Sequence, residues 1–259
     1  IFTSFYLRDF RIDASSDSLV SQNDEDYKYF SYYQDLFPTK NSLVIAIKSN
    51  SKIDRVLIEE IEKISEKLSD LPEVYSVFTI NKAPILLLNN TSLIDLANNN
   101  YETILNSSLP FEDILNEFAK SPIYSDQIIN ESKSITSIVI FLNENSKAID
   151  LKNNKNLYLT QGKYYKIKTE IDKERNELIK KIRNIIINSN QYFTYYLGGV
   201  EMISSDVISY VKNDIFTFSL IVLLVIVLIL FLIFRRVKWV FAILDRKSTR
   251  LNSSHSSVS

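Results

Sequence analysis

Two hydrophobic periods share the first two hundred residues, and one uninterrupted apolar run follows them. Leu43 to Ile47 (LVIAI) is continuously apolar, the pattern of a strand buried on both faces. Ser51 with Asp54 three residues later is a capping-box pattern, and Leu57, Ile61, Ile64, Leu68 and Leu71 then recur at helical spacing, with Pro72 just beyond. Glu59, Glu60, Glu62, Lys63, Glu66 and Lys67 form the solvated back of that helix, with Glu59 and Lys63 as an i,i+4 pair. Val74 to Ile80 (VYSVFTI) is a second strand and closes a β-α-β unit.

A second unit follows the same logic. Ile135 to Leu142 (ITSIVIFL) predicts a strand, and Tyr192 to Leu197 (YFTYYL) predicts another, ended by Gly198-Gly199. Between them a helix from about Thr169 to Asn188 carries Ile171, Leu178, Ile182, Ile185 and Ile186 on one face. Short helices are expected at Leu93 to Ala97 and Phe111 to Ala119, and residues 143–168 read as a hairpin or loop. The tyrosine pairs 164–165 and 195–196 read as half-exposed strand residues or as the lining of a hydrophobic path. Two β-α-β units in one domain predict an α+β fold of the ferredoxin-like, split β-α-β kind, with both helices on one side of the sheet.

The apolar run is Ile215 to Phe234, twenty residues without charge, Gly or Pro. At ~1.5 Å per residue it spans ~30 Å, the thickness of a bilayer's hydrocarbon core. Arg235, Arg236 and Lys238 follow it, whereas Lys212 and Asp214 nearly cancel before it. Excess Lys and Arg mark the cytoplasmic side, so the residues before the span are expected outside. Trp239 opens another apolar stretch that stops at Leu244. Asp245 to His255 (DRKSTRLNSSH) then coincides with the in-frame translation of a sequencing adapter, and residues 245–259 are expected to be artefact rather than protein.

Composition narrows the chemistry. A net charge of −1 and a pI near 6.0 argue against a nucleic-acid partner. There is no cysteine, and the only histidine, His255, lies in the adapter-like tail. No catalytic residues, metal ligands or cofactor are therefore assigned. Three glycines, Gly162, Gly198 and Gly199, leave no Gly-rich phosphate loop. Asp206 and Asp214 approach the membrane and read chiefly as interfacial acids, and Asp13 and Asp17 as helix-capping groups more readily than cation ligands.

Three segments carry a resemblance: Asp9 to Val20 (DFRIDASSDSLV), Ser121 to Leu142 (SPIYSDQIINESKSITSIVIFL) and Leu197 to Trp239, with its Gly-Gly, amphipathic run, span and Arg-Arg stop. Together they resemble the resistance–nodulation–division (RND) superfamily, specifically predicted exporters near the MMPL and sterol-sensing-domain transporters. The resemblance implies a first helix ending in residues 1–8, an extracytoplasmic porter-like domain over 9–212, and a second helix over 213–236. A third helix would begin at 237–244. It further implies a bacterial inner-membrane protein with 9–212 on the periplasmic side. The implied activity is export of hydrophobic or lipid-like molecules, driven by the proton-motive force through acidic residues of later helices. The bilayer is then a partner, as would be further copies of the chain or periplasmic accessory proteins. Arg235, Arg236, Lys238 and Trp239 would set the topology. Gly198 and Gly199 would be a hinge or a plain strand terminator. The rival expectation is a membrane-anchored sensor with an extracytoplasmic ligand-binding domain.

Overall fold

The computed structural model describes residues 24–37 and 40–234. The chain divides between Asp206 and Val207 into two compact units. In order, the elements are α1 (Glu25–Leu36), β1 (Ser42–Lys48), α2 (Arg55–Ser69), β2 (Val74–Thr79), α3 (Leu93–Ala97) and α4 (Phe111–Lys120). They continue with β3 (Ile135–Leu142), α5 (Ser146–Asn153), α6 (Lys155–Thr160), α7 (Tyr164–Ile187), β4 (Thr194–Gly198) and α8 (Val200–Phe234).

The class is α+β, with one four-stranded sheet in the order β2-β3-β1-β4 and every pairing antiparallel. On β1, Ile45 stands opposite Ile138 of β3 on one side and Leu197 of β4 on the other. Leu43 faces Ile140, which in turn faces Val77 of β2. Because side chains alternate along a strand, these residues share one face of the sheet. Leu57, Ile61, Ile64 and Leu68 of α2 join Leu178 and Ile182 of α7 in a single core over that face. Burying each such side chain contributes roughly 1.5–3 kcal/mol.

Several expectations need correction. Leu43, Ile45 and Ile47 are fully buried while Val44 and Ala46 are only half-buried, so β1 is covered on one face rather than two. A continuous apolar run could not reveal this, since helices cover only one side. The cap of α2 is Asp54, whose Oδ1 accepts from the Leu57 amide at 2.9 Å, while the Ser51 hydroxyl donates to the Lys52 carbonyl. Glu59 and Lys63 form no ion pair; instead neighbouring Glu60 accepts from the Asn190 amide (2.9 Å) and Glu62 from the Asn81 amide group (2.9 Å). Residues 143–168 hold α5, α6 and the first turn of α7. Asn145 caps α5 by accepting from the amides of Lys147 and Ala148, and Leu151 buries its side chain. Tyr164 and Tyr165 accordingly open a helix and are not strand residues. The sequence pattern also gave no reason to expect α1, which Asp24 caps by accepting from the Asp26 amide.

Residues 81–134, between β2 and β3, are tied down by one carboxylate. Glu117 of α4, 8% exposed, accepts from three successive backbone amides, those of Leu86 (2.7 Å), Leu87 (2.9 Å) and Leu88 (2.8 Å). This satisfies donors that no strand or helix reaches. Tyr124, whose hydroxyl donates to the Pro84 carbonyl, is pushed up to about 12 by burial and by the Glu117 charge.

Gly199 joins β4 to α8 at φ +130°, a conformation that side chains rarely adopt. A Cβ there would lie 2.9 Å from both Leu43 Cδ2 and the Ser42 carbonyl oxygen, whereas at Gly198 the nearest atom is the Val44 carbonyl oxygen at 3.9 Å. Gly199→Ala is therefore expected to destabilise the domain by about 2–4 kcal/mol and Gly198→Ala by less than about 1 kcal/mol. Urea unfolding of both variants, followed by circular dichroism, checks the contrast; equal losses would mean the close approach to Leu43 does not matter.

Candidate functional site

A cleft of about 540 Å³ opens where the start of β1, the end of β3, α5 and α7 converge. Its floor comes from Leu43, Leu142, Leu178 and Ile179, and its wall from Ile149, Ala148 and Ile171. The strands supply the floor because Leu43 and Leu142 occupy buried-face positions near one end of the sheet. The Asn145 cap fixes where α5 begins and so sets the wall.

Around the opening the charges satisfy one another. Lys147 Nζ lies 2.5 Å from Glu174 Oε1, and Asn145 Nδ2 donates to Glu174 Oε2 at 3.0 Å. Arg175 Nε lies 2.5 Å from Glu201 Oε2 and Arg175 Nη1 lies 3.3 Å from Asp172, while Asn41 Nδ2 donates to Glu201 Oε1 at 3.0 Å. Lys181 Nζ reaches Glu73 Oε1 at 2.7 Å. The hydrogen bond from Lys147, helped by Asn145, holds the Glu174 carboxyl below its ordinary range, and the same contact raises Lys147. Partial burial pushes Glu73 up, but the hydrogen bond and charge of Lys181, with the residue's own backbone amide, outweigh it and leave the carboxyl lowered. Glu144 and Lys152 also line the cleft and have no ion-pair partner among the described residues.

The first two turns of α8 are locked to α7. Besides the Arg175–Glu201 pair, Arg183 Nη2 donates to both oxygens of Asp206 (2.9 and 2.7 Å), and the Ser205 hydroxyl bonds to the Asn176 side chain. Asp206 is thus an ion-paired residue on the inner side of its helix and not a solvated acid; Asp214 is exposed. Farther along, α8 is long and apolar enough to span a membrane, with a mean hydropathy of 3.3 in its most apolar window and none of that window buried.

The described residues include both Gly198 and Gly199, but Arg235, Arg236, Lys238 and Trp239 lie outside them, as do residues 1–8, 237–244 and 245–259 together with Asp13 and Asp17. No group of three or more acidic, His or Cys side chains is placed to hold a metal among the described residues. The sequence did not reveal the cleft, because its lining comes from five segments and its charges pair only after folding. The one available signal was Asn145 ahead of Leu151, a cap before a short amphipathic turn. Leu87, Leu88, Leu93 and Ile94 form a second feature the sequence left unmarked, being 72%, 43%, 84% and 72% exposed near the backbone that Glu117 holds.

No family model matches the chain, and no curated protein matches it.

Glu174 and Glu73, the two rim carboxyls held low by their lysines, give a sign-definite pH dependence. Their folded values are depressed, so they stabilise the domain above the unfolded carboxylate value near ~4.3, and this contribution disappears as pH falls through their lower folded values. Replacing Lys147 by Met should therefore lower stability at pH 7 and leave it nearly unchanged at pH 2–3, seen as converging melting curves. A loss of the same size at both pH values would remove the Lys147–Glu174 charge pair as the cause.

Proposed function

We propose that this chain is the porter-domain half of an RND-type exporter, with α8 as a transmembrane helix and residues 9–212 on the periplasmic side of a bacterial inner membrane. One observation supports the reading most: a four-stranded antiparallel sheet in the order β2-β3-β1-β4, which is compatible with a ferredoxin-like split β-α-β unit, followed in the chain by an apolar helix. The three resembling segments support it from the sequence side. The intact exporter moves hydrophobic or lipid-like molecules by alternating access, driven by protons through acidic residues of later helices. In this reading the lipid bilayer is a partner, with further copies of the chain or periplasmic accessory proteins beside it. Hinge motion at Gly198 and Gly199 would require the Arg175–Glu201 and Arg183–Asp206 pairs to open first.

The source gene, sequenced free of adapter, is expected to continue past Leu244 with several further spans, at least one with a mid-helix acidic residue, and then a second porter-like region. A frame running instead into a kinase-like or coiled-coil region would replace the exporter by a membrane-anchored sensor.

Topology gives a separate test. The chain lacks cysteine, so single cysteines report cleanly. Ser65 and Ser189 are buried, but Lys67 and Lys180 are exposed. Lys67→Cys and Lys180→Cys should react with a membrane-impermeant thiol reagent in spheroplasts expressing the full gene, and Val237→Cys only after permeabilisation. The reverse pattern would overturn the periplasmic assignment and the exporter with it.

A further inference from the structure

We infer that the loop over residues 87–94 is a second membrane contact, an apolar wedge by which one end of the domain rests on the bilayer surface, held by burial of its aliphatic side chains and not by lipid charge. The inference rests on the reading of α8 as a membrane span and is independent of export.

Placement comes first. Lys48 of β1 pairs with Ile135 of β3 and with Thr194 of β4, so the end of β1 and the starts of β3 and β4 make one end of the sheet. β2 also finishes there, with Thr79 opposite Ile138, and residues 81–134 leave from Thr79 and return to Ile135 at that same end. α7 stops at Ile187, just before β4 begins, and therefore ends there too. The first turns of α8 run alongside α7 in the same direction, because Glu201 meets Arg175 and Asp206 meets Arg183. They thus lead toward the end that carries 81–134. Ile215, where the apolar run opens, lies nine residues beyond Asp206. That is ~13 Å of helix, and at most ~30 Å of extended chain, so the bilayer lies within reach of this anchor whichever way the later turns point.

The surface itself is apolar and held in shape. Leu87, Leu88, Leu93 and Ile94 are exposed, four large aliphatic side chains within eight positions, and a cluster of that kind marks an interaction site. Their exposure is not fraying. The Thr91 amide donates to the Leu86 carbonyl (2.9 Å) and its hydroxyl to the Ile85 carbonyl (2.6 Å), while Ser92 and Asp95 cap α3 reciprocally. Glu117 holds the amides of Leu86, Leu87 and Leu88, so docking demands little further ordering. Tyr192, exposed at the same end with its carbonyl accepting from Asn50, is of the residue type favoured at headgroup level. Charge then selects the mode of contact. Residues 83–109 contain no Lys or Arg, and their only charged side chains are Asp95 and Glu102. A cation-free surface draws nothing from anionic lipid, which leaves apolar burial to make the contact.

The test uses the full chain in phosphatidylcholine nanodiscs, with single cysteines carrying a fluorophore that lipid-borne nitroxides quench. Ala97→Cys, exposed and one helical turn from Leu93 and Ile94, reports on the wedge. Lys152→Cys, exposed on α5 beyond the opposite end of β3, is the distant control, and Leu224→Cys in α8 reports on the span. Ala97→Cys should be quenched more strongly by a nitroxide at the headgroup than by one deep in the acyl chain, Leu224→Cys by the deep one, and Lys152→Cys by neither. Leu87→Glu, Leu93→Glu and Ile94→Glu together should cut the Ala97→Cys quenching about threefold or more, with circular dichroism and Leu224→Cys quenching as in the parent. Adding phosphatidylglycerol or raising the salt should leave the quenching in place. Quenching at Leu224→Cys without any at Ala97→Cys would overturn the wedge and leave the span standing. Quenching at Ala97→Cys without any at Leu224→Cys would do the opposite, and none at either would overturn both. Quenching that requires phosphatidylglycerol and vanishes in salt would overturn the apolar basis of the contact. An Ala97→Cys label that no nitroxide reaches but that shifts to the blue with protein concentration would make the patch a contact between copies of the chain and overturn the bilayer as its partner.

Discussion

The double pairing of β1 is the constraint on which the rest depends. This strand hydrogen-bonds to β3 on one edge and β4 on the other, so with β2 paired on β3 it draws all four strands, from both sides of 81–134, into one sheet. Its alternate residues Leu43, Ile45 and Ile47 have no exposed surface, and they fix which face α2 and α7 must cover. A one-residue slip of register would turn that face to solvent and present Val44, Ala46 and Lys48 to the helices instead. The start of the strand is also where the cleft gains its floor and where Gly199 passes within contact of Leu43. Fold, cleft and the turn into α8 therefore share one structural origin.

Electrostatics act on this frame in a graded way. The Lys147–Glu174 pair is about half exposed, so water screens it and it adds little to stability. The Arg175–Glu201 pair leaves only 22% of either side chain exposed and is extended by Asp172 and Asn41, so it joins β1's approach, α7 and α8 in one network. The Arg183 fork on Asp206 adds a second attachment about one and a half turns farther along α8. Such contacts do little to hold the core together. Their effect is geometric: they fix the first turns of α8 against α7 where apolar packing alone would allow sliding.

Much of the fold was legible because its signals are local. The β3 limits, Ile135 to Leu142, follow from a bounded apolar run, and Leu93–Ala97 follows from a helix whose cap, Ser92 with Asp95, lies within four residues. The stripe of α2 was equally clear, since Leu57, Ile61, Ile64 and Leu68 must face one way. Illegible features depend on distant partners. Residues 143–168 are polar in composition, yet Asn145 and Leu151 fold them against α7. Glu117 looks like any helix carboxylate until the amides of Leu86 to Leu88 converge on it. Asp206 looks like a surface acid until Arg183, 23 residues earlier, closes on it.

By itself the sequence determined the two β-α-β units, the faces their helices bury and the presence of one helix apolar enough for a membrane, because periodicity and run length are properties of neighbouring residues. Only the tertiary structure decided that β1 lies at the centre between β3 and β4, that one face of the sheet is left half-covered, and that a cleft opens beside α5. Those outcomes rest on which strand edges meet and which charges pair across tens of residues, and no local pattern carries that information.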